Sequence, residues 1–400
     1  FRSDRLILRN KYDFISLEGF DIQWELKENG FLVMAGLIES PRVAPGDMVT
    51  LQLEGMKGEL EAGKEYHLGV KALTREATGL LSEGHIVATE QFALTPEQVN
   101  EDSKEAFFAA GVDQVSMEEF KKQVVVQAAS CQLTFDRESG FLVSFVKGEK
   151  PLIASGPKPN FWRAPTENDF GNNMNLRCAM WKNFGKELEL QALLPMQIDE
   201  QVMVLAEYLH PENGSVYRVS YSINNRAEVL VNVSFDPGSD RFPEMPRFGM
   251  SMVLPEGSDH LEFFGRGPHE NYNDRNHSSD VGIYESSVDD QYVPYITNGE
   301  NGNKTEVRWL SLSNTEGRVV EIKGSPQFDF SALHYSQDDL DREQRDGAHT
   351  IDLEKSDLVF LNIDMKQMGV GGDDSWGART HAAYLIPPGP LEYSFIIVPY

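Results

Sequence analysis

Apolar and polar residues alternate along most of this chain. Tyr217, Val219, Tyr221 and Ile223 interleave with Arg218, Ser220 and Ser222, and Val229, Val231, Val233 and Phe235 repeat the pattern after the polar turn Asn224-Asn225-Arg226. A period of two sets one apolar face on a core and one face toward water, so each run predicts a strand and the pair a β-hairpin. Short strand candidates recur at 22–27, 31–38, 48–53, 66–70 and 85–92, with Gly30, Pro45-Gly46 and Gly63 between them. Such spacing over residues 1–94 predicts an immunoglobulin-like β-sandwich. Residues 95–120 break the pattern: Pro96-Glu97-Gln98 and Ser116-Met117-Glu118-Glu119-Phe120 are polar, acidic and weakly helical, and read as a linker. From 121 to 400 the alternation resumes, which suits one large antiparallel β-sandwich better than a barrel. The one good helix candidate there is short, around 175–184. The fold class expected is therefore all-β, in two structural units.

Charge narrows the partners. The 400 residues carry 63 acidic against 36 basic side chains, a formal net charge of −27. Phosphate backbones and anionic membrane surfaces both need a basic face, so neither nucleic acid nor a membrane is an expected partner. Neutral sugars and cations remain, alongside a purely solubilising role for the charge. Two cysteines, Cys131 and Cys178, make neither a disulfide framework nor a zinc site. No run of about 20 apolar residues predicts a membrane span. The chain opens on Phe1 and runs directly into the strand-like Arg5-Leu6-Ile7-Leu8-Arg9, without a signal peptide. It reads as a piece of something longer, whose compartment, cytoplasmic or periplasmic, the sequence leaves open.

Candidate chemistry is concentrated in loops rich in Gly, Pro, Asn, Asp and aromatic residues, where sites tend to sit on sheet scaffolds. Phe161-Trp162-Arg163-Ala164-Pro165-Thr166-Glu167-Asn168-Asp169-Phe170-Gly171 reads either as a sugar-recognition loop or as a buried turn held by Arg163 and Asp169 with Trp162 in the core. Gly265-Arg266-Gly267-Pro268-His269-Glu270-Asn271-Tyr272-Asn273-Asp274-Arg275 lacks the third glycine of a phosphate loop. Its His269-Glu270 step reads as an acid–base pair or, more simply, as a solvated loop. Pro294-Tyr295 and Asn298-Gly299-Glu300-Asn301-Gly302-Asn303 read as tight turns. In Gly371-Gly372-Asp373-Asp374-Ser375-Trp376-Gly377 the glycines permit close approach of a ligand, the indole offers a flat face to sugar C–H groups, and Asp373 and Asp374 can accept hydroxyl protons. The alternative is an aromatic plug at a sandwich edge. A lone Asp-Asp pair is a weak metal signal.

Taken in this order, the motifs resemble the C-terminal region of glycoside hydrolase family 2 β-galactosidases. Phe161 to Gly171 matches that family's Phe-x-Arg-Ala-Pro-x-x-Asn-Asp-x-Gly run, Pro246-Arg247-Phe248-Gly249 its Pro-Arg-x-Gly step, and Gly265 to Arg275 its Gly-x-Gly-Pro-x-Glu-Asn-Tyr-x-Asp-Arg motif. Tyr292-Val293-Pro294-Tyr295, Glu300-Asn301-Gly302 and Gly371 to Trp376 follow in register. Asn10-Lys11-Tyr12-Asp13-Phe14, Trp24-Glu25-Leu26 and Ser82-Glu83-Gly84-His85 look like the immunoglobulin-like domain after the family's barrel. The resemblance covers essentially the whole chain. It implies an immunoglobulin-like domain over 1–94, a linker over 95–120, and a large sandwich of galactose mutarotase type over 121–400. It also implies a platform role for Trp376 and sugar contacts from Asp373, Asp374, Asn168 and Asp169. The segment 171–177 corresponds to a loop near the site mouth but departs in length and composition.

Retaining glycoside hydrolysis needs two carboxylates about 5 Å apart. In the family these lie on strand ends of an α/β barrel, as do the metal ligands, and no barrel pattern is present here. The resemblance therefore implies no catalytic residue, metal ligand or cofactor in this chain. It places the hydrolysis of terminal β-galactosides, and a divalent cation, in the barrel of the parent enzyme. The expected partners are a β-galactoside or other carbohydrate and the missing barrel of the same polypeptide, with a homo-oligomer left open. Two other readings share the fold class: a free-standing epimerase-like enzyme drawing on His269, His334 or His381, and a carbohydrate-binding module using Trp376 and Trp162.

Overall fold

The structure, a computed structural model, describes residues 4–56, 60–95, 106–108, 114–198, 200–238, 241–341, 349–374 and 376–400. The chain divides into two compact units, Phe1–Gln98 with Asp280–Ile283, and Val99–Ser279 with Tyr284–Tyr400. Strands dominate both, which is the all-β class that the alternation predicts. Among the described residues no helix is long and apolar enough to cross a membrane.

In the first unit, β1 (Arg5–Arg9) pairs antiparallel with β4 (Met48–Gln52). A second sheet runs in the order β3 (Phe31–Ile38), β2 (Phe20–Glu28), β5 (Tyr66–Thr74), β6 (Ile86–Ala93). Alternate residues of β2, Ile22, Trp24 and Leu26, turn inward and meet Tyr66 and Leu68 of β5, Leu6 of β1 and Leu53. The indole of Trp24 lies across its cross-strand neighbour Gly36, where a Cβ would come within 2.5 Å of the ring. Glycine is required there because the tryptophan already occupies the space.

The second unit opens with a five-stranded meander: β7 (Ser116–Glu119), β8 (Gln123–Ala128), β9 (Cys131–Asp136), β10 (Leu142–Lys147) and β11 (Lys150–Pro151). The stretch expected to be weakly helical linker at 116–120 is thus largely a strand. Met117 packs inward, its neighbours stay exposed, and the ladder with β8 overrides a weak local preference. The expected linker positions 96–105 lie outside the described residues.

The meander packs on a twelve-stranded sheet. Its main path is β12 (Ser155–Asn160), β17 (Arg247–Leu254), β22 (Val359–Gln367), β21 (Gly317–Leu333), β23 (Leu391–Pro399), β16 (Val229–Asp236), β15 (Val216–Ile223), β14 (Gln201–Leu209), β13 (Glu189–Ile198). Off this path, β18 (His260–Gly267) pairs with β19 (Asp280–Ser287) and β20 (Lys304–Asn314), and β20 pairs with β21. Val124, Val126, Leu133 and Phe135 of the meander face Tyr217, Val219, Tyr221, Phe248 and Met250 in one core. The rings of Phe135 and Tyr221 are 5.1 Å apart.

The helix expected around 175–184 is broken into Met174–Arg177, a 3-10 turn Ala179–Trp181, and Phe184–Glu187. Met174, Cys178 and Trp181 carry helical spacing and are fully buried. The backbone leaves the helical region at Cys178 (φ −103°, ψ 10°) and Asn183 (φ −111°, ψ 1°), which lets Trp181 and Phe184 both reach Phe161.

Candidate functional site

The segment 161–171 folds as a buried turn followed by a short helix. Thr166 caps the helix Glu167–Gly171 through a reciprocal box with Asp169. Arg163 has no exposed surface. Its Nε and Nη2 donate to the two carboxylate oxygens of Asp169 at 3.1 and 2.8 Å, and it also donates to the carbonyls of Met368 and Gly369. The backbone N–H of Thr166 donates to Asp169 as well, at 3.0 Å. Asp169 is 1% exposed, and both of its oxygens are engaged. Asp169, expected to contact sugar, is the buried counter-ion that fixes Arg163. Asn168 is half-buried, donates to the carbonyl of Val370 at 3.0 Å, and has no partner for its Oδ1 among the described residues.

Segments far apart in sequence meet here. Glu300 N–H donates to the Ala164 carbonyl at 3.0 Å, Gly302 N–H to Glu270 Oε2 at 2.8 Å, and Gly371 N–H to Asp274 Oδ2 at 2.7 Å. Thr297 donates to Glu167, and the other oxygen of Glu270 accepts from both Arg275 and Tyr295. These contacts enclose a cavity of about 610 Å³ lined by Asn168, Tyr272, Arg275, Tyr295, Asn298 and Val370, among others. In its walls the Tyr272 hydroxyl and both amide atoms of Asn298 are buried without a hydrogen-bond partner among the described residues. Buried polar groups are nearly always paired, so this wall can engage a polar guest or ordered water. Burial pushes the Tyr272 phenol well above its ordinary value, so it stays a neutral donor.

His269 and Glu270 do not act on each other. The imidazole lies 3.0 Å from Ser278 and from Ser279, while Glu270 holds Arg275, Tyr295 and Gly302. His334 is buried against the Leu358 carbonyl, and His381 sits 2.9 Å from Asp373. The three histidines serve three different places.

Beside the cavity, the loop from Gly371 to Thr380 presents Trp376 with 91% of its surface exposed. Thr380 ties the base by donating to the carbonyls of Gly369 and Gly371, both at 3.1 Å. Asp374 Oδ1 accepts the backbone N–H groups of Trp376 (2.8 Å) and Ala378 (3.3 Å), so one of its oxygens shapes the turn. Gly377 adopts φ +123°, a conformation that suits glycine, and a Cβ there would sit 3.4 Å from the Gly171 carbonyl. Among the expected contact residues, Trp376, Asp373, Asp374 and Asn168 therefore offer exposed or unengaged groups. Among the described residues no group of three His, Cys, Asp or Glu side chains could hold a metal ion.

Behind the cavity lies an ion cluster that the motif reading did not foresee. Arg247, fully buried, donates through Nη2 to Glu300 at 2.9 Å and lies 3.2 Å from Asp364 Oδ2. A Cβ on Gly249, cross-strand from Asp364, would come within 2.0 Å of Asp364 Oδ1. The Arg-x-Gly spacing in 247–249 thus supplies a cation and a gap for one carboxylate.

Comparisons with known proteins show the family of this chain. The family model described as the β-galactosidase small chain matches residues 127–397, and that for domain 4 of β-galactosidase matches residues 6–95. The β-galactosidase of Priestia megaterium is 35% identical over 387 residues, covering 96% of this chain and 36% of that protein. Those of Vibrio cholerae (32% identity, 89% of this chain, 34% of that protein) and Pseudoalteromonas haloplanktis (28%, 96% and 37%) are also similar. The chain spans about a third of the length of these curated relatives. Among solved structures, galactose 1-epimerase from Lactobacillus acidophilus NCFM overlays 72% of this chain and 98% of its own at TM-score 0.42 and 7% identity. Since the small-chain model alone takes in more than half of the residues, the chain belongs to the β-galactosidase small chain family.

Proposed function

We propose that this chain is the non-catalytic C-terminal portion of a retaining glycoside hydrolase family 2 β-galactosidase, and that its Trp376 loop lends a sugar platform to the mouth of an active site built elsewhere. The catalytic barrel of the same polypeptide supplies both carboxylates and holds the divalent cation. The observation that carries the reading is Trp376 itself: an indole 91% exposed, on a loop tied at its base by Thr380. Water gains nothing from such a surface, whereas the C–H face of a pyranose does. Asp373, Asp374 and Asn168 stand by as hydroxyl acceptors, and Arg163 with Asp169 fixes the turn beneath.

In the full-length enzyme, Trp376→Ala is expected to raise KM roughly tenfold while kcat changes little, because a platform binds ground and transition states alike. The same substitution should shift the denaturant midpoint of this chain by about 1 kcal/mol or less, since the indole is already solvated. Unchanged KM would remove the platform role. The purified chain by itself is expected to leave a chromogenic β-galactoside intact, since this reading puts the reacting carboxylate pair in the barrel. Turnover that co-purifies with the chain would transfer the reading to a free-standing enzyme.

A further inference from the structure

A second cavity, of about 570 Å³, opens on the sheet face that turns away from the main core. Its floor is built by four adjacent strands, β12, β17, β22 and β21, and their registers align the side chains in rows. Lys158 faces Ser251, Ser251 faces Asn362, and Asn362 faces Ser331, which makes one polar row across the sheet. Two residues along, Val253 faces Phe360 and Phe360 faces Leu333, which makes a parallel apolar row. On each strand these residues point opposite to core residues such as Met252, Leu361 and Ala332, as the period of two requires.

We propose that this trough is a binding site for a neutral pyranose, separate from the Trp376 loop. A pyranose needs an apolar strip for its C–H face and a line of donors and acceptors for its hydroxyls, and the two rows lie side by side at that spacing. The polar row is preorganised. Asn160, only 8% exposed, donates to Asn362 Oδ1 at 3.1 Å and to Gln337 Oε1 at 3.0 Å, and Asn362 Nδ2 donates to Ser331 at 3.0 Å. It also retains capacity. The Gln337 amide nitrogen, the Ser251 hydroxyl and the Lys158 ammonium have no partner among the described residues. The charged lining residues balance, with Lys158, Lys182 and Lys186 against Glu138, Glu300 and Asp338, so the trough has no net charge to recruit an anion. Lys182 is further held by Asp341 at 2.8 Å and Lys186 lies 3.6 Å from Asp338.

The test is equilibrium titration of this chain with galactose and with lactose, followed by nuclear magnetic resonance. Saturable binding is expected, with Kd on the order of millimolar, as suits a few hydrogen bonds and one apolar strip. Ser251→Phe, which fills the trough from a half-buried position, and Gln337→Ala, on a short surface helix, should each weaken binding roughly tenfold, the loss of about 1.4 kcal/mol. Trp376→Ala should leave it unchanged. Loss of binding in Trp376→Ala alone would overturn the trough and support the platform loop instead. Absence of saturable binding by the unsubstituted chain would overturn it too, as would unaltered affinity in both trough variants. Tighter binding of galacturonate than of galactose would overturn its neutral character. Far-ultraviolet circular dichroism of both variants separates an altered site from a misfolded chain, and is needed for Gln337→Ala too because its Oε1 accepts from Asn160 and Arg247.

Discussion

Arg247→Ala is expected to destabilise the chain by about 3–5 kcal/mol, the range for breaking a buried ion pair by removing one partner. The guanidinium is fully buried and pairs with both Glu300 and Asp364. Among the described residues neither oxygen of Asp364, which lies in the sheet, has a hydrogen-bond partner. Burial pushes its carboxyl well above the ordinary range, Arg247 opposes this, and Glu300 and Asp329 push the same way as burial. Without Arg247 the buried Glu300 loses its hydrogen-bonding cation and Asp364 loses the cation that opposes its burial. Arg247→Lys restores the charge but not the fork that reaches both partners, so its loss should fall between alanine and the parent. Urea midpoints of the two variants measure this, and a loss under 1 kcal/mol for the alanine variant would mean that the cluster is dispensable.

Stability that rises on acidification is the second large effect. Burial drives the Asp329 carboxyl up to about 7, helped by the nearby Glu306 and opposed by the Glu306 N–H bond and Lys366. In the unfolded chain the same group titrates near 3.9. A folded-state value above the unfolded one means that the fold holds the proton more tightly, so the stabilisation is fully present below about 4 and is lost as pH rises through about 7. The full span corresponds to roughly 4 kcal/mol, of which roughly 2–3 kcal/mol falls between pH 5 and 7.5. Asp329→Asn removes the titration while keeping the shape. The difference in stability between the variant and the parent should therefore grow in the variant's favour across that interval. Lys304, pushed down to about 8 by burial, acts above this window. Parallel pH profiles for variant and parent would show that Asp329 does not carry the effect.

The fold was legible wherever one face of a strand meets water. The hairpin at Val216–Ile223 and Val229–Asp236, and Phe31–Ile38 in the first unit, stand where alternation puts them. Alternation fails where both faces are buried. Arg247, Asp329 and Asp364 lie on strands whose outer side is covered too, so nothing in their immediate sequence marks them as partners. The helix Glu167–Gly171 was written in the Thr166-x-x-Asp169 box but obscured by the aromatic and charged residues around it. The site's loops were visible one at a time through their Gly, Asn, Asp and Trp content. Their convergence was not, because Asn168 reaches Val370 and Asp274 reaches Gly371 across stretches of sequence that carry no pairing signal.

The position of β23 governs when this architecture can exist. It lies between β16 and β21, pairing Leu391 to Ile397 with the former and Ser394 to Pro399 with the latter. Before those residues are made, the large sheet can assemble only as two blocks, each ending in an unpaired edge of apolar strand. Exposed edges of that kind pair with whatever strand they meet first. Closure of the sandwich therefore waits for the last strand of this unit, and a chain that stops short of Leu391 is left with two adhesive half-sheets instead of a slightly shorter domain.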